Sequence, residues 1–398
     1  MKIKIGVIFG GNSVEHEISI ITAVQAMEYL NKDKYEVVPI YIDINRNWYT
    51  GYALTKMETY KNMDDLERLS TRVCLTKKND EFVLLSTKGI FKRVINTIDI
   101  AFPIVHGKGV EDGSLAGYLD SLGIPYVGSD VLGSAVGQDK VVQKQILSAE
   151  GIPVVNYTWF YENDYLLNED EILKDIKKMG YPVIVKPARF GSSIGISYVK
   201  DEIEVKKAIE EALEYDEKII VEEVVKNLLE VDCAVVGNHE FMETSLIGEM
   251  LTDNNILTFE DKYISEGGKK GPSKKVSDSV STAGFKIPAE LDSKIEEQIY
   301  EISKKTFRAL NLKGVTRFDF LVDKKTKKVY VNEPNTIPGC LAFFFFTPKG
   351  KKYEELLDQL ITMTIKDYKK NSKKTTSFES NVLSTFNGSK GAKGKLNM

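Results

Sequence analysis

Apolar positions along this chain alternate between two rhythms. Lys2 to Phe9 is a short apolar run closed by Gly10-Gly11, and from Ser13 to Leu30 the residues Ile18, Ile21, Val24 and Met27 recur at helical spacing. Strand-like runs follow at Tyr35 to Ile42 and at Ile98 to Val105, the second ending at His106-Gly107. Strands alternating with helices predict an α/β fold built on a parallel sheet with helices on its faces. In such sheets ligands bind beyond the carboxyl ends of the strands, here the loops after Phe9 and Val105.

The rhythm changes after Gly128. A helix beginning at Val141 leads to strands at Val154 to Tyr161, Pro182 to Pro187 and Lys218 to Val225, with helices at Glu169 to Met179 and Glu202 to Tyr215. A last group follows. Strands are predicted at Glu230 to Val236, Phe241 to Leu246, Gly314 to Val322 and Val329 to Asn332, with helices at Glu290 to Leu310 and Tyr353 to Asp367. This divides the chain into units at 1–130, 131–223 and 224–366. Residues 252–283 are polar and rich in Gly, Lys and Ser, and are read as a functional lid in preference to plain disorder. Residues 367–398 read as a solvated tail.

Composition narrows the classes. At roughly 150 residues per domain, 398 residues fill two to three domains. With 54 Lys+Arg against 58 Asp+Glu the net charge is only -4, so no field for nucleic acid exists and no nucleic-acid partner is expected. The three cysteines, Cys74, Cys233 and Cys340, lie far apart and are read as free thiols of a reducing compartment. No apolar stretch approaches the ~20 residues of a membrane span, so a cytoplasmic protein with no membrane partner is expected.

Four motifs carry chemistry. In Pro182-Val-Ile-Val-Lys186-Pro-Ala-Arg-Phe-Gly-Ser192-Ser193-Ile-Gly195 an apolar strand delivers a lysine, and a Gly-Ser-Ser-x-Gly loop offers backbone N–H groups and hydroxyls to phosphate oxygens. Lys140 opens a helix, from where an ammonium reaches a polyphosphate. The strand end at Glu222, Glu223 and Val224 presents backbone groups to an adenine edge, with Glu230 able to accept from ribose hydroxyls. Surface acids are the plainer reading of that run.

In the Arg317 to Asn335 hairpin, a turn near Lys325-Thr326 sets Asp319 opposite Glu333 with Asn335 alongside. Facing carboxylates repel unless a cation lies between them, and an all-oxygen donor set favours Mg²⁺. Arg317 is placed to stabilise negative charge in a transition state. Glu15, in Gly10-Gly-Asn-Ser-Val-Glu15-His16-Glu17, sits where a carboxylate binds a substrate ammonium, the alternative being a plain helix start served by Glu17 and Ser19. His106 and Glu111-Asp112 follow the third strand in the same way. With three histidines in the chain and no second one close to His106 in sequence, neither a zinc site nor a Ser-His-Asp triad is expected.

Taken in order, GGNSVEHEIS, HGKGVEDGSLAGYLDSLGIPYVGSD, QDK, VIVKPARFGSSIGIS, DKY and TRFDFLVDKKTKKVYVNEPNTIPG resemble the D-alanine–D-alanine ligases of the ATP-grasp superfamily. The resemblance implies a three-domain ATP-grasp fold and ligation of two D-alanines through an acyl phosphate, for peptidoglycan precursor synthesis. It implies ATP, two Mg²⁺ ions whose place Mn²⁺ can take, small D-amino acid substrates and a homodimer. Glu15 would hold the first substrate's ammonium with Ser192 and Tyr263 around it, and His106 would lie beside the substrate. Lys140, Lys186, Ser193 and Lys262 would serve ATP, Glu222 through Val224 its adenine and Glu230 its ribose. Asp319, Glu333 and Asn335 would bind Mg²⁺. Arg317 and the Gly339 N–H would stabilise the tetrahedral intermediate.

Three positions depart from the family pattern. Phe344 stands where the family places a serine for the second substrate's carboxylate, within Cys340-Leu-Ala-Phe-Phe-Phe-Phe346. Phe190 replaces an acid and Leu229 an arginine. A phenyl ring offers a carboxylate no hydrogen bond, so D-serine, D-lactate or another amino acid stands as an alternative acceptor. A non-catalytic nucleotide or amino-acid sensor is a further reading.

Overall fold

The structure is a computed structural model, and it describes residues 2–89, 92–251 and 284–376. The amino-terminal part runs β1 (Ile3–Gly10), α1 (His16–Tyr29), β2 (Tyr35–Ile42), β3 (Trp48–Thr50), α2 (Met63–Leu69), β4 (Thr71–Lys78), β5 (Glu81–Ser86), β6 (Val94–Ile98), β7 (Ile100–Val105) and α3 (Ser114–Leu122). Its seven strands lie in the order β6-β5-β4-β3-β2-β1-β7. β1 is apolar from Ile5 to Gly10 because both faces are covered there: Ala23 and Met27 of α1 share one core with Val7 and Phe9, and Leu115 and Leu119 of α3 share another with Ile8.

The expected parallel sheet holds only for β2-β1-β7. From β2 to β6 the pairing is antiparallel. The connection between β4 and β5 shows why. It is two residues long, and Asn79 and Asp80 have φ of 50° and 63°, the left-handed pair of a tight hairpin turn. Parallel strands need a crossover of a dozen residues or so, and no such length is available there.

Two helices, α4 (Val131–Gln138) and α5 (Lys140–Ala149), lead onward. Asp139 starts α5 by accepting the Val141 and Val142 N–H groups at 2.9 and 3.0 Å. The second sheet comprises β8 (Tyr157–Tyr161), β9 (Val183–Pro187), β10 (Ser197–Val199) and β11 (Lys218–Glu223), in the antiparallel order β10-β9-β11-β8. It is covered by α6 (Glu162–Met179) and α7 (Glu202–Leu213). α6 breaks at Asn168 (φ -135°, ψ 36°): the predicted helix Glu169–Met179 follows the break, and an additional turn from Glu162 precedes it, capped where Asp164 accepts the Tyr161 N–H at 3.2 Å.

The third sheet, β12 (Leu228–Gly237), β13 (Met242–Met250), β14 (Phe285–Lys286), β15 (Gly314–Asp323) and β16 (Val329–Asn335), is antiparallel in the order β14-β13-β12-β15-β16. Along β15 the period of two is strict: Phe318, Phe320 and Val322 are buried with Ile299 and Ile302 of α8 (Ser293–Ala309), which leaves Arg317 and Asp319 on the other face. A short turn α9 (Phe343–Phe346) and α10 (Tyr353–Asn371) finish the described chain, and Phe345, Phe346, Leu357 and Ile361 join one core with Ala23 and Met27 of α1.

α10 runs beyond Asp367, where the solvated tail was expected to begin. Asp367 accepts from Asn238 Nδ2 at 3.0 Å, Tyr368 donates to the Gly123 carbonyl at 3.3 Å and Lys370 pairs with Glu240. These contacts hold the last helical turn. The remainder of the predicted tail from 377 on, and the predicted lid 252–283 with Lys262 and Tyr263, lie outside the described residues. Among the described residues no helix is long and apolar enough to cross a membrane.

Candidate active site

A cleft with about 610 Å³ of open space forms where the carboxyl ends of β1 and β7 meet the loop after β9 and the end of β16. Glu15 enters it from the turn that starts α1, and Ser192 Oγ donates to Glu15 Oε1 from across the cleft. Ser192 and Ser193 reach this point with φ of 54° and 59°, a left-handed backbone that costs non-glycine residues about 1–2 kcal/mol each. Asp216 braces the loop: it accepts the Arg189 N–H at 2.9 Å and the Arg189 Nε–H at 3.1 Å.

Loop 106–113 ties the first sheet to both others. Glu111 accepts from the Gly107 N–H at 2.9 Å, the Thr336 hydroxyl at 2.8 Å and the Ile337 N–H at 3.0 Å. Its carboxyl is pushed up to about 7, by burial and then by the charge of Glu15. Lys108 Nζ lies 3.7 Å from Asp216 and 5.3 Å over the Phe190 ring. His106 is buried beside Glu15, and burial lowers its imidazole pKa against the pull of that carboxylate. Its Nε2 has no hydrogen-bond partner among the described residues.

A chain of buried charges runs along the other wall. Lys140 Nζ lies 3.0 Å from Glu333 Oε2 and donates to the Phe190 carbonyl at 2.6 Å. Asp139, which starts this helix, is itself held by Lys218 at 2.8 Å. Glu222 sits between two lysines, 2.7 Å from Lys186 Nζ and 3.1 Å from Lys144 Nζ. Burial works against its charge, yet the two lysines outweigh it and hold Glu222 below the usual carboxylate range. For Lys186 burial is again outweighed, by Glu222 and Glu333, and its pKa rises. For Lys144 burial prevails and its pKa falls.

Next to the turn Val322 pairs with Val329 and Phe320 with Val331, and a β-bulge between Asp319 and Phe320 then shifts the register by one residue. Asp319 stands opposite Glu333, and Arg317 opposite Asn335. Arg317 grips Asp319 through Nε at 2.8 Å and Nη2 at 2.9 Å, and Asn335 Nδ2 donates to Asp319 Oδ1 at 3.1 Å. Gly339 opens the turn that follows β16 and lines the same cleft.

Comparison with known proteins settles what this cleft belongs to. The D-ala D-ala ligase N-terminus family matches residues 4–129, and the D-ala D-ala ligase C-terminus family matches residues 146–362. The D-alanine–D-alanine ligase of Thermosipho melanesiensis is 38% identical, over 96% of this chain and 98% of its own. The chain belongs to the D-alanine–D-alanine ligase family. Among solved members, the D-alanine-D-alanine ligase from Coxiella burnetii superposes with a TM-score of 0.76 at 30% identity, covering 94% of this chain and 96% of its own. The VanG D-Ala:D-Ser ligase from Enterococcus faecalis does so at 0.75 and 30%, covering 92% and 100%. The fold is therefore ATP-grasp, and ligases of this family depend on ATP.

Of the residues that the sequence singled out in this family member, Glu15, His106, Lys140, Arg317, Glu333, Asn335 and Gly339 line one cleft. Ser192 joins it through Glu15, and Asp319 through Arg317. Lys186 and Glu222 are buried as an ion pair and do not line it, Glu230 of β12 pairs in register with Leu321 of β15, and the Glu223 side chain is exposed. Phe344 departs from expectation. Its ring is 9% exposed and packs 4.6 Å from Phe345 and 5.8 Å from Phe285, and it is absent from the cleft lining. Burial of aromatic area draws the Phe344, Phe345 and Phe346 rings into the core, with Phe343 partly buried against it.

Sequence reasoning missed Lys144, Lys108 and Asp232. For Lys144 the signal is its place four residues after Lys140, which puts both ammonium groups on one face of α5. For Asp232 it is a buried-strand position between Val231 and Cys233, two residues after Glu230 and so on the same face of β12.

Proposed function

We propose that the chain joins two D-alanines to D-alanyl-D-alanine, cleaving ATP to ADP and phosphate through a D-alanyl phosphate, and so supplies a peptidoglycan precursor. The observation that carries this is the meeting, in one cleft, of the Glu15–Ser192 pair with the Lys140–Glu333 pair. Glu15 takes the ammonium of the first D-alanine, and Ser192 orients that carboxylate. Lys140 and Lys186 neutralise phosphate oxygens, with Ser193 in the loop beside them. The strand end Glu222 to Val224 borders adenine, and Glu230 takes the ribose. On this reading residues 1–130 hold the first substrate, while 131–223 and 224–366 close on ATP from two sides.

Asp319, Glu333 and the Asn335 amide oxygen would hold Mg²⁺. Their donor set fits: two carboxylates face each other in register, and the Asn335 nitrogen already donates to Asp319, which leaves its oxygen as the metal donor. Bound Mg²⁺ supplies neutralisation of the ATP phosphate charge. Arg317 and the Gly339 N–H stabilise the oxyanion that forms as the second substrate's amine attacks the acyl phosphate.

A second reading has the same chemistry with a different acceptor. It is favoured by the apolar Ile18, Phe190 and Ile337 on the cleft wall. The deciding experiment is ATP-dependent phosphate release with D-alanine alone and with D-alanine paired with D-serine, D-lactate or larger D-amino acids, with products identified by mass. D-alanyl-D-alanine from D-alanine alone supports the first reading. A product formed only with another acceptor supports the second, and no release with any pair removes both.

A further inference from the structure

β12, β15 and β16 place three carboxylates abreast. Asp232 pairs in register with Asp319, and Asp319 with Glu333, so all three side chains rise from one face of the sheet. The next row is Ala234, Arg317 and Asn335. The small Ala234 leaves the Arg317 side chain room to fold back over the acidic row. Arg317 Nε lies 3.0 Å from Asp232 Oδ2 and 2.8 Å from Asp319 Oδ1.

One guanidinium is thus shared by two acids of unlike surroundings. Asp319 is partly exposed, whereas Asp232 is 2% exposed. Asp232 is also outside any metal cage: among the described residues no three His, Cys, Asp or Glu side chains converge as a metal-binding group.

We propose that Asp232 is a positioning residue for Arg317, keeping the guanidinium at the cleft when Asp319 serves as a metal ligand. This rests on the reading of Asp319 and Glu333 as ligands given above. A carboxylate that gives its lone pairs to a cation holds an arginine less strongly, and a cation beside a metal ligand competes with the metal. Asp232 answers both problems. It gives the guanidinium a second, buried carboxylate that the metal does not claim, so Asp319 can turn to the metal while Arg317 stays in place. Without Asp232 the guanidinium is left to Asp319 alone and becomes a direct rival of the ion.

The test is Mn²⁺ titration of the full-length protein in the presence of ADP, read by electron paramagnetic resonance of the unbound ion. It is run on the wild type, Asp232→Asn, Arg317→Gln, the double variant and Glu333→Gln, with circular dichroism to confirm folding. The cycle isolates the coupling between the two side chains. Asp232→Asn is expected to weaken Mn²⁺ about tenfold, the scale of an outer partner of a metal ligand, and to have no effect once Arg317 is replaced. An equal loss in both backgrounds would overturn the proposal, since Asp232 would then act on the metal without Arg317. Unchanged affinity in Asp232→Asn would overturn it too. If Asp232→Asn does not fold, Asp232→Ser takes its place in the cycle, and the same two outcomes decide. Failure of the underlying metal reading looks different: Glu333→Gln would then bind Mn²⁺ as the wild type does.

Discussion

Lys144 and Glu222 meet at 3.1 Å with neither side chain more than 3% exposed. Lys144 also donates to the Asn332 carbonyl at 3.1 Å, so one ammonium joins α5, β11 and β16. Removing one partner from a buried ion pair leaves a charge with too few counter-ions and costs about 3–5 kcal/mol. Lys144→Met should lower stability by that amount in urea unfolding, and ATP affinity should fall with it because Glu222 and Lys186 lose their fixed geometry. A loss below about 1 kcal/mol would place the pair among those of little net worth.

Glu333→Gln keeps the size of the side chain and removes its charge, leaving Lys140 without its carboxylate at 3.0 Å. Turnover should fall by about a hundredfold or more at limiting Mg²⁺, with partial recovery at high Mg²⁺. Wild-type rates at limiting Mg²⁺ would remove Glu333 from the metal set.

The raised pKa of Glu111 makes a pH prediction. Folding lifts this carboxyl from 4.5 to about 7, so the folded chain binds the proton more tightly than the unfolded one. The associated stability is full below about 4.5 and is lost as pH rises through about 7. The melting temperature of wild type relative to Glu111→Gln should therefore decrease from about pH 5 to about pH 8. A difference that stays flat across that interval would mean that the carboxyl titrates normally.

Phe344→Ser restores the hydroxyl that the family pattern carries, but the side chain at 344 points into the core. Large-to-small changes at buried phenylalanines cost about 3–5 kcal/mol, and a buried hydroxyl adds to that. Acceptor preference in the folded fraction should be unchanged, as judged by product mass. A gain in D-alanine as acceptor would show that residue 344 reaches the substrate after all.

How far the sequence speaks depends on the range of the forces involved. The Arg317 to Asn335 hairpin was legible because a short polar turn joins two strands of period two, whereas the bulge that brings Asp319 opposite Glu333 leaves no mark in that pattern. The cleft loops were legible because glycines end apolar runs. Lys144 was not: a helix lysine reads as solvated, and only tertiary packing brings Glu222 of β11 and the Asn332 carbonyl of β16 to it. The antiparallel half of the first sheet was missed for a related reason, since the Asn79-Asp80 turn that joins β4 to β5 lies in a charged stretch with weak periodicity. Phe344 was placed by motif order, which carries no information on which way a ring turns.

The hydrogen bonds that assemble the cleft join distant parts of the chain. Glu15 and Ser192 are 177 residues apart, and Glu111 and Thr336 are 225 apart. During synthesis the first sheet can form long before residue 336 leaves the ribosome, since domains fold as units from the amino end. Glu111 then has no hydroxyl to hold, and the loop that carries His106 stays loose. Competence for catalysis is thus a property of the finished chain, and recovery of activity on refolding should lag behind recovery of secondary structure.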